Sequence, residues 1–531
     1  MLVGPNNSGK SLTLREILKS SGTQQGEFEH NFAVKGLTLK KQGTSDELKA
    51  FLDSNGTFKD QRYWYRDWEL HESYINVWGN QKFLWQIDKV FIKNIIAEAR
   101  LQITGLQSSI SVGQRKSLPQ HVLYDDQILM ERISDLFYRA FGEDLFFDFR
   151  GGASLPIHVG KCPEIEGKED RVDNTYVAKV RRFPMLHEQG DGIKSFAGIL
   201  FEAVATERDI TLIDEPEAFL HPPQMRRLGQ TLAEEVAGQL LVATHSSDIM
   251  RGFLTGTSGS IQIVRMQRNG NINQVTEAPV GAIKTLWEQP DLRYSNALEG
   301  IFHEQTIICE DDSDCRLINS IADHMERESG DTWKDTAYVP AGGKHGIHKI
   351  ASVLRQIGVP VTGVFDIDFL NDPDLVKAAV IGFGGNWDDI RPLWNKVNAA
   401  VSDGVTALSI EDIKSKIIGV IGDSDDGELP KGDIQELLKR GKPWAEVKKY
   451  GVTAIPNGQA QTEFATLNTA LNQLGIVVVP VGEIENFCPD VGSHGPKFVT
   501  KLLQTVPLDD ERLAGLRKFV GHVHSLQEQL A

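Results

Sequence analysis

Short apolar runs separated by stretches with helical spacing dominate the hydrophobic pattern of the chain. Residues 210–213, 239–243 and 305–309 form compact, mostly apolar runs, which are typical of strands buried on both faces of a parallel sheet. Apolar residues at helical spacing cover 196–208, before the first run, and 316–325, after the third. Strands that alternate with helices in this way predict an α/β fold built on parallel sheets. The same two patterns recur in strand-like runs at 363–365 and 475–481 and in helix-like stretches at 126–141 and 346–356.

The pattern also predicts how the chain divides into domains. Between about 45 and 180, aromatic and charged residues mix with helical stretches, and we interpret this region as a helical insertion that is a candidate dimerisation region. A polar segment rich in Gly and Asp, at about 419–433, predicts a surface loop. We expect one domain over 1–295 and a second over 296–531, which ends in a helical segment.

Length and charge restrict the classes of function. At 531 residues the chain is too long for one hydrophobic core, and its 40% hydrophobic and 24% charged residues are typical of globular proteins. A formal net charge of −17 disfavours indiscriminate binding to phosphate backbones, so contact with nucleic acid needs local basic patches or bridging metal ions. Such basic clusters are usually solvated surface. The candidates are Lys179, Arg181, Arg182, Arg226, Arg227, Lys439 and Arg440.

Cysteine usage and the start of the chain bear on the compartment. The four cysteines include no pair at zinc-ligand spacing, which fits reduced thiols in the cytosol. A glycine-rich motif begins at residue 4 and leaves no room for a signal peptide, and no apolar run approaches the length of a membrane span. We therefore expect a cytoplasmic protein without membrane contact.

The glycine-rich motif is a candidate phosphate-binding loop. Residues 4–11 (GPNNSGKS) match the pattern G-x-x-x-x-G-K-[ST], in which Gly4, Asn7 and Gly9 belong to a loop whose N–H groups surround phosphates. Lys10 is expected to meet the β and γ phosphates of a nucleotide, and Ser11 is expected to bind Mg²⁺. A match to this pattern can also arise by chance, so the motif alone only suggests a nucleotide site.

Two further strand ends carry polar side chains in the order that a nucleotide site requires. Asp214 and Glu215 follow the strand at 210–213, where they suit a second Mg²⁺ contact and a residue that orients water. His245 follows the strand at 239–243, at the edge where open sheets bind ligands. Each has a structural alternative, because the carboxylates can simply cap a helix and a lone histidine is often structural. The three motifs together favour an ATP site.

These segments resemble a known family. Residues 214–222 (DEPEAFLHP) and 243–246 (ATHS) look like the ABC-type ATPases of the overcoming lysogenization defect (OLD) nucleases and their SMC and RecF relatives. The resemblance implies that Asp214 is a Walker B ligand, Glu215 the catalytic base and His245 the switch. Residues 189–196 are similar to the signature segment that contacts ATP in the partner subunit, which implies a homodimer or higher oligomer. Family members usually carry two strands before the phosphate loop, so this short start predicts weaker ATP binding or turnover, or a shortened chain.

The second half carries candidate metal ligands. Glu310 follows the strand at 305–309, and Asp366 and Asp368 follow the strand at 363–365. In an extended segment, residues two apart point to one face, so the two aspartates can converge on one cation, and carboxylate oxygens suit Mg²⁺ or Mn²⁺. The alternative for either cluster alone is a solvated helix start or loop.

Together the two clusters resemble the Toprim domain of topoisomerases, primases and OLD nucleases. The resemblance implies that Glu310, Asp366 and Asp368 hold one metal and that Asp314 and Glu485 help to hold another. It also places a glycine-lysine turn at 341–344 and a late catalytic lysine at Lys497. For the nearby Glu483, an ordinary surface carboxylate is as good an interpretation as a metal ligand.

The resemblance predicts an ABC/SMC-like P-loop ATPase followed by a Toprim domain. It implies an ATP-binding DNA endonuclease that uses two divalent metals for cleavage and one with ATP. It further implies an effector of bacterial antiphage defence, with a partner protein or nucleoprotein. Two alternatives stay open, namely an SMC- or RecF-like clamp that binds DNA without cutting it and a Toprim nuclease that acts on RNA.

Overall fold

A computed structural model describes residues 1–23, 28, 30–80, 84, 87–289, 296–330, 332–404, 410–422, 431, 434 and 443–530. They form two compact units, Met1–Glu288 and Gln289–Ala531. The domain boundary expected between 295 and 296 adjoins residues 290–295, which lie outside the described residues. No helix among the described residues is long and apolar enough to cross a membrane.

The first unit contains one large sheet, three small ones and many helices. Its strands are β1 (Leu2–Val3), β2 (Thr57–Lys59), β3 (Arg62–Tyr65), β4 (Trp68–His71), β5 (Ile92–Ile95), β6 (Gln107–Ser108), β7 (Asp144–Phe147), β8 (Ser154–Leu155), β9 (Ile157–Gly160), β10 (Ile210–Asp214), β11 (Gln239–Ala243), β12 (Val264–Asn269) and β13 (Ile272–Glu277). Its helices are α1 (Lys10–Ser21), α2 (Ser45–Asn55), α3 (Ile75–Asn80), α4 (Asp88–Phe91), α5 (Ala97–Ile103), α6 (Pro119–Asp125), α7 (Gln127–Phe141), α8 (Asn174–Val180), α9 (Asp191–Leu200), α10 (Pro222–Glu235), α11 (Ser247–Gly256) and α12 (Val280–Glu288). Short 3-10 helices cover Glu72–Tyr74 and Leu186–Glu188, and a π-helix covers Phe201–Ala205.

The large sheet places the three nucleotide motifs at one edge. Its strand order is β13-β12-β1-β11-β10-β5, and every pairing is parallel except that of β12 with β13. The predicted strands at 210–213 and 239–243 are confirmed as β10 and β11, which pair along their full length. Because β1, β11 and β10 are parallel neighbours, their carboxyl ends lie side by side.

The region predicted as a helical insertion contains strands as well as helices. The strands β2, β3 and β4 form an antiparallel sheet, and β5 completes the large sheet beside β10. Among the aromatic residues of this region, Tyr63 is buried in a cluster that includes Leu14 of α1, and Tyr65, Trp68 and Trp78 are partly buried against the same cluster. Trp85, another of these aromatics, lies outside the described residues. Inward packing of Tyr63 disfavours a role for its ring in stacking on bases.

The second unit is a four-stranded parallel sheet with helices around it. Its strands are β14 (Gln305–Cys309), β15 (Thr336–Pro340), β16 (Val361–Phe365) and β17 (Ile476–Val478). Its helices are α13 (Asp312–Ser329), α14 (Lys344–Gln356), α15 (Pro373–Gly382), α16 (Trp387–Gly404), α17 (Ile410–Gly422), α18 (Pro443–Tyr450), α19 (Gln459–Gln473), α20 (Pro496–Thr505) and α21 (Ala514–Leu530). Short 3-10 helices cover Asn296–Phe302, Ile367–Asn371, Gly451–Ala454, Ile484–Phe487, Pro489–Val491 and Glu511–Leu513.

The strand order in this unit is β15-β14-β16-β17, and all pairings are parallel. The ends of β14 and β16 are therefore neighbours, as the acidic motifs require. The predicted strand at 475–481 is shorter in the structure, since β17 covers only Ile476–Val478. The surface loop predicted at about 419–433 is wrong at its start, because residues 419–422 form the end of α17. Most of the remaining loop lies outside the described residues.

A buried histidine fixes the C-terminal helix α21 to the sheet. His524 is 2% exposed, its Nε2 lies 3.0 Å from the Tyr338 hydroxyl, and its ring centroid is 4.8 Å from that of Trp333. Burial lowers the pKa of His524 to about 4. The neutral imidazole is thus the form that the folded unit stabilises.

We expect α21 to lose stability in acid. A folded pKa of about 4, below the ordinary value of 6.5, makes the contribution of His524 complete above pH 6.5 and lost as pH falls toward 4. The full loss is on the order of 3 kcal/mol. Hydrogen exchange of the α21 amides, corrected for intrinsic rates, should quicken between pH 6.5 and 4.5. His524→Gln should flatten this dependence, whereas His324→Gln, a partly exposed histidine on α13, should leave it intact; equal profiles for the two variants would contradict the assignment.

Candidate nucleotide and metal sites

The loop between β1 and α1 turns tightly at two glycines. Gly4 has a φ of 132°, and a Cβ atom there would lie 2.0 Å from the carbonyl oxygen of Met266 on β12. Gly9 has a φ of 92° directly before α1, and Asn7 between them has a φ of 60°. These conformations favour glycine, and asparagine tolerates them better than most residues. The loop therefore presents its backbone to the start of α1, where N–H groups attract anions.

The lysine and serine of the motif lie where a nucleotide site needs them. Lys10 is buried, and its ammonium donates to the carbonyl oxygens of Gly4 and Pro5, both at 2.8 Å. The Ser11 hydroxyl donates to Asp214 Oδ1 at 2.9 Å, across from α1 to the end of β10. A hydroxyl and a carboxylate at this spacing fit a shared Mg²⁺ bound with ATP.

A buried arginine that the sequence analysis missed holds the turn after β10. Glu215 is exposed and has a φ of 47°, a strained conformation for a residue other than glycine. Arg100 of α5 is fully buried and donates to the carbonyl oxygen of Glu215 at 2.7 Å and to that of Asp214 at 3.4 Å. Burial lowers the pKa of Arg100 to about 10 and raises the pKa of Asp214. No motif in the sequence marks Arg100.

Glu217 links the end of β10 to the end of β11. It is 5% exposed, and its Oε1 accepts from the Thr244 hydroxyl and from the backbone N–H of His245, both at 2.8 Å. The His245 Nδ1 lies 3.2 Å from the same oxygen, and Oε2 is buried without a hydrogen-bond partner. Burial lowers the pKa of Lys10, and Glu217 is the carboxylate that opposes this most strongly. Glu217 thus joins the expected switch histidine to the phosphate loop electrostatically.

The signature-like segment 189–196 packs against the same turn. It starts α9, the Ser195 hydroxyl donates to the carbonyl oxygen of Ala218 at 3.2 Å, and a Cβ on Gly192 would lie 2.7 Å from the carbonyl oxygen of Phe219. The segment is therefore adjacent to the turn after β10 of its own chain. Its contact with ATP in a partner subunit stays a prediction.

In the second unit, Glu310 and Asp366 directly follow the neighbouring strands β14 and β16. The backbone N–H of Asp366 donates to Glu310 Oε1 at 3.4 Å. The prediction that Asp368 continues an extended segment is wrong, because a 3-10 helix begins at Ile367. Asp366 and Asp368 nevertheless approach the same ammonium group, so the two carboxylates converge by a turn rather than by strand alternation.

That ammonium belongs to Lys448 of α18, which the sequence analysis did not identify. Its Nζ lies 3.2 Å from Asp366 Oδ2 and 3.6 Å from both Asp368 Oδ2 and Glu483 Oε2. Lys344, in the predicted glycine-lysine turn, lies 3.2 Å from Asp368 Oδ2. The Asp366 and Asp368 carboxylates raise the pKa of Lys448 against the effect of burial. The acidic site is thus bordered by the ammonium groups of Lys448 and Lys344.

Three carboxyl groups of the site have raised pKa values. Burial raises the pKa of Glu310, Asp314 and Asp366 to about 7 each. Repulsion between neighbours adds to this, from Asp366 on Glu310 and from Glu485 on Asp314. Asp368 Oδ1 is buried without a hydrogen-bond partner. Buried acids with an unpaired oxygen atom fit a bound divalent cation, which supplies the charge that water no longer does.

Three side chains after β17 form a second group of ligand atoms. Candidate ligand atoms of Glu483, Glu485 and His494 all lie within 4.8 Å of one another. The backbone N–H of Gly495 holds Glu485 Oε1 at 2.7 Å. His494 was not identified from the sequence, and its side chain is 79% exposed. The expected late lysine, Lys497, is exposed in the first turn of α20, and within the described residues no polar contact joins it to these carboxylates.

Of the seven basic positions considered for DNA contact, three are neutralised by acidic partners. Lys439 and Arg440 lie outside the described residues. Three of the others have acidic partners at 2.6 to 3.1 Å, namely Lys179 with Glu166 and Glu169, Arg181 with Asp148, and Arg226 with Asp248. These ion pairs disfavour the three positions as a free basic patch.

We expect a divalent cation to stabilise the second unit more at pH 8 than at pH 6. Without a cation, the raised pKa values mean that the protonated carboxyl groups stabilise the folded unit, and this stabilisation is lost as pH rises through about 7. A cation must displace these protons at pH 6, whereas it finds carboxylates at pH 8. Thermal unfolding with and without Mg²⁺ at both pH values measures the difference. Glu310→Gln should reduce it, and an equal shift at both pH values would contradict the proton competition.

Two family models match parts of the chain. Residues 176–251 match the model described as "AAA domain, putative AbiEii toxin, Type IV TA system". Residues 301–368 match "Overcoming lysogenization defect protein-like, TOPRIM domain". The first match contains the turn after β10, and the second contains Glu310, Asp366 and Asp368. An ATPase domain followed by a TOPRIM domain implies the use of a nucleotide and a divalent metal.

Solved structures with similarity to the chain include SMC head domains, at low identity. They are the SmcHead bound to the C-winged helix domain of ScpA (15% identity, TM-score 0.30, 52% of this chain and 88% of that one), the SMC head domain from Thermotoga maritima (14%, 0.27, 52% and 89%) and a Pyrococcus furiosus Smc head domain with an extended coiled coil (13%, 0.29, 54% and 92%). No curated protein matches the chain by sequence.

Proposed function

Because the chain joins an ATPase domain to an OLD-like TOPRIM domain, the domain combination of the OLD nucleases, we propose that it is an ATP-binding, metal-dependent DNA endonuclease. The observation that carries this proposal is the acidic site of the second unit. Five carboxylates from three stretches of the chain form it, and burial raises the pKa of three of them to about 7. A clamp that does not cut has no need for such a costly arrangement of buried acids.

Divalent cations, proposed as two Mg²⁺ or Mn²⁺ ions, supply an activated water and stabilise the leaving oxygen in phosphodiester hydrolysis. Glu310, Asp366 and Asp368 would hold one ion, and Asp314 and Glu485 the other. We propose that Lys448 and Lys344, rather than the exposed Lys497 alone, neutralise charge on the bound phosphate, since their ammonium groups lie 3.2 Å from Asp366 and Asp368 respectively. Lys497 stays a prediction.

In the first unit, the residues present fit ATP with one Mg²⁺. The loop glycines bring backbone N–H groups to the phosphates, Lys10 supplies a positive charge, and Ser11 with Asp214 would hold the ion. We propose that Glu215 orients the attacking water, with its carbonyl oxygen fixed by Arg100. A homodimer or higher oligomer through this unit is part of the proposal.

The biological role is proposed from the resemblance alone. Members of the OLD family include effectors of bacterial antiphage defence, which would place this protein in the cytoplasm with DNA as its target. A defence partner, either a protein or a nucleoprotein, would then control its activity. The alternative substrate, RNA, uses the same metal chemistry on the same kind of bond, so it is distinguished by experiment.

The test is cleavage of supercoiled plasmid and of a single-stranded RNA of matched length, with Mg²⁺ or Mn²⁺ and with or without ATP. We expect nicked and linear DNA in the presence of either metal and none with EDTA. If RNA is cleaved and DNA is not, RNA replaces DNA as the proposed substrate. Absence of cleavage under every condition, with ATP hydrolysis intact, would favour the clamp.

A further inference from the structure

A cavity of about 650 Å³ lies in the first unit, apart from the phosphate-binding loop. It is formed by α7, β7 and the loop at 162–172, and all of its lining residues fall between Leu123 and Tyr176. Cavities of roughly 300 to 1,000 Å³ are the usual size of small-molecule sites. No residue placed in the ATP or metal site lines it, so it is a separate feature of the fold.

Aromatic rings supply much of the apolar surface of this cavity. Tyr124, Phe147 and Phe149 form a cluster with ring centroids 5.3 to 6.0 Å apart, and all three line the cavity. Tyr176 also lines it, with its hydroxyl 3.9 Å from the Cys162 thiol. Ring faces bind apolar groups and attract organic cations.

The charged residues of the cavity are almost all acidic. A single guanidinium, that of Arg171, faces five carboxylates, which belong to Asp125, Glu131, Asp135, Asp144 and Asp170. Three of these have a cationic neighbour at 3.2 to 3.5 Å, namely Lys116 for Asp125, Arg171 for Glu131 and Arg139 for Asp135. Among the residues that the structure describes, Asp144 on β7 and Asp170 on the loop have no ion-pair partner. The lining therefore carries two carboxylates that no cation among the described residues neutralises.

One cationic side chain of the protein, that of Arg171, already lies beside both a ring and a carboxylate of this lining. The Arg171 guanidinium lies 5.8 Å from the centroid of the Phe149 ring and 3.5 Å from Glu131 Oε1. A ring face and a carboxylate thus hold an organic cation at the border of the cavity. Asp144 and the Tyr124, Phe147 and Phe149 rings line the same cavity, so the lining offers a second carboxylate together with ring faces.

We propose that this cavity binds a small organic cation that carries an ammonium or guanidinium group on an apolar body. The cationic group would pair with Asp144 and Asp170, and the apolar body would lie against the Tyr124, Phe147 and Phe149 rings. Anionic ligands, including free nucleotides, are disfavoured by the surplus of carboxylates. The site is independent of the nuclease proposal, because it uses none of the same residues.

The test is calorimetric titration of the full chain with 2-phenylethylamine and with 2-phenylethanol, its neutral analogue of similar shape. We expect saturable binding of the amine and binding of the alcohol weaker by about tenfold or more. Asp144→Asn should weaken amine binding by about tenfold, whereas Glu143→Gln, an exposed neighbour that does not line the cavity, should not change it.

Asp170→Asn provides a second variant, because Asp170 lies on an exposed loop and its replacement spares the hydrogen bond from Cys162 N to Asp144 at 2.9 Å. It should also weaken binding of the amine. Equal affinity for the amine and the alcohol would overturn the proposal, as would equal effects of the Asp144 and Glu143 variants or no saturable binding of the amine.

Discussion

Asp366→Asn is expected to lower metal-dependent DNA cleavage by about 1,000-fold or more. Asp366 follows β16, and its carboxylate lies beside those of Glu310 and Asp368. The amide keeps the shape of the side chain but removes a negative charge and one anionic ligand, and metal ions contribute several kcal/mol to such hydrolyses. Nicking of supercoiled plasmid under single-turnover conditions measures the loss.

The matched control is Asp374→Asn, an exposed aspartate in the first turn of α15. It removes the same charge from the same unit outside the acidic site, so its cleavage rate should stay near that of the unaltered chain. Because burial raises the pKa of Asp366, the asparagine variant should also remain folded, which thermal unfolding without metal checks. If Asp366→Asn cleaves DNA at the rate of the unaltered chain, the acidic site is not where cleavage takes place.

Lys10→Ala is expected to lower ATP hydrolysis by about 100- to 1,000-fold, since the lysine of this loop stabilises the charge that develops on the phosphates. Lys19→Ala alters an exposed lysine in the last turn of the same helix and should leave hydrolysis unchanged. The Lys10 ammonium also donates to Gly4 and Pro5, so Ser11→Ala is a second variant that keeps those hydrogen bonds. Retained hydrolysis in both Lys10→Ala and Ser11→Ala would exclude this loop as the ATP site.

The same variant reports on how ATP is used. If cleavage of plasmid falls together with hydrolysis, ATP binding governs the nuclease. If cleavage persists or rises, ATP either has no part in cutting or restrains it. Measuring both activities in one preparation of Lys10→Ala therefore separates these roles.

The nucleotide motifs were predictable because each is short in sequence and lies at a strand end. Lys10 and Ser11 were named from the loop motif and Asp214 from its place after a strand, and the structure joins Ser11 to Asp214 at 2.9 Å. Arg100 was not predictable, because its role depends on a helix from a distant region that delivers one side chain to two backbone carbonyls. No pattern of residue types near Arg100 encodes that approach.

The metal site shows the same limit. The two apolar runs predicted the strands β14 and β16, but their pairing, which brings Glu310 close to Asp366, is an observation of the structure. Lys448 lies in a helix with ordinary surface charges, and only the packing of α18 brings it to within 3.2 Å of Asp366. The 3-10 helix that begins at Ile367 could not be predicted either, since a D-x-D pattern is compatible with a strand or a 3-10 helix.

The position of β1 has a consequence for how the first unit is made. This two-residue strand pairs with both β11 and β12, through Leu2 with Ala243 and with Val264. Because β1 precedes β11 and β12 in the chain, it completes its pairing in the sheet only after the residues of β12 have been synthesised. Contacts so distant in sequence form late in folding. The nascent chain consequently cannot hold a nucleotide in its final loop geometry until most of the first unit has emerged.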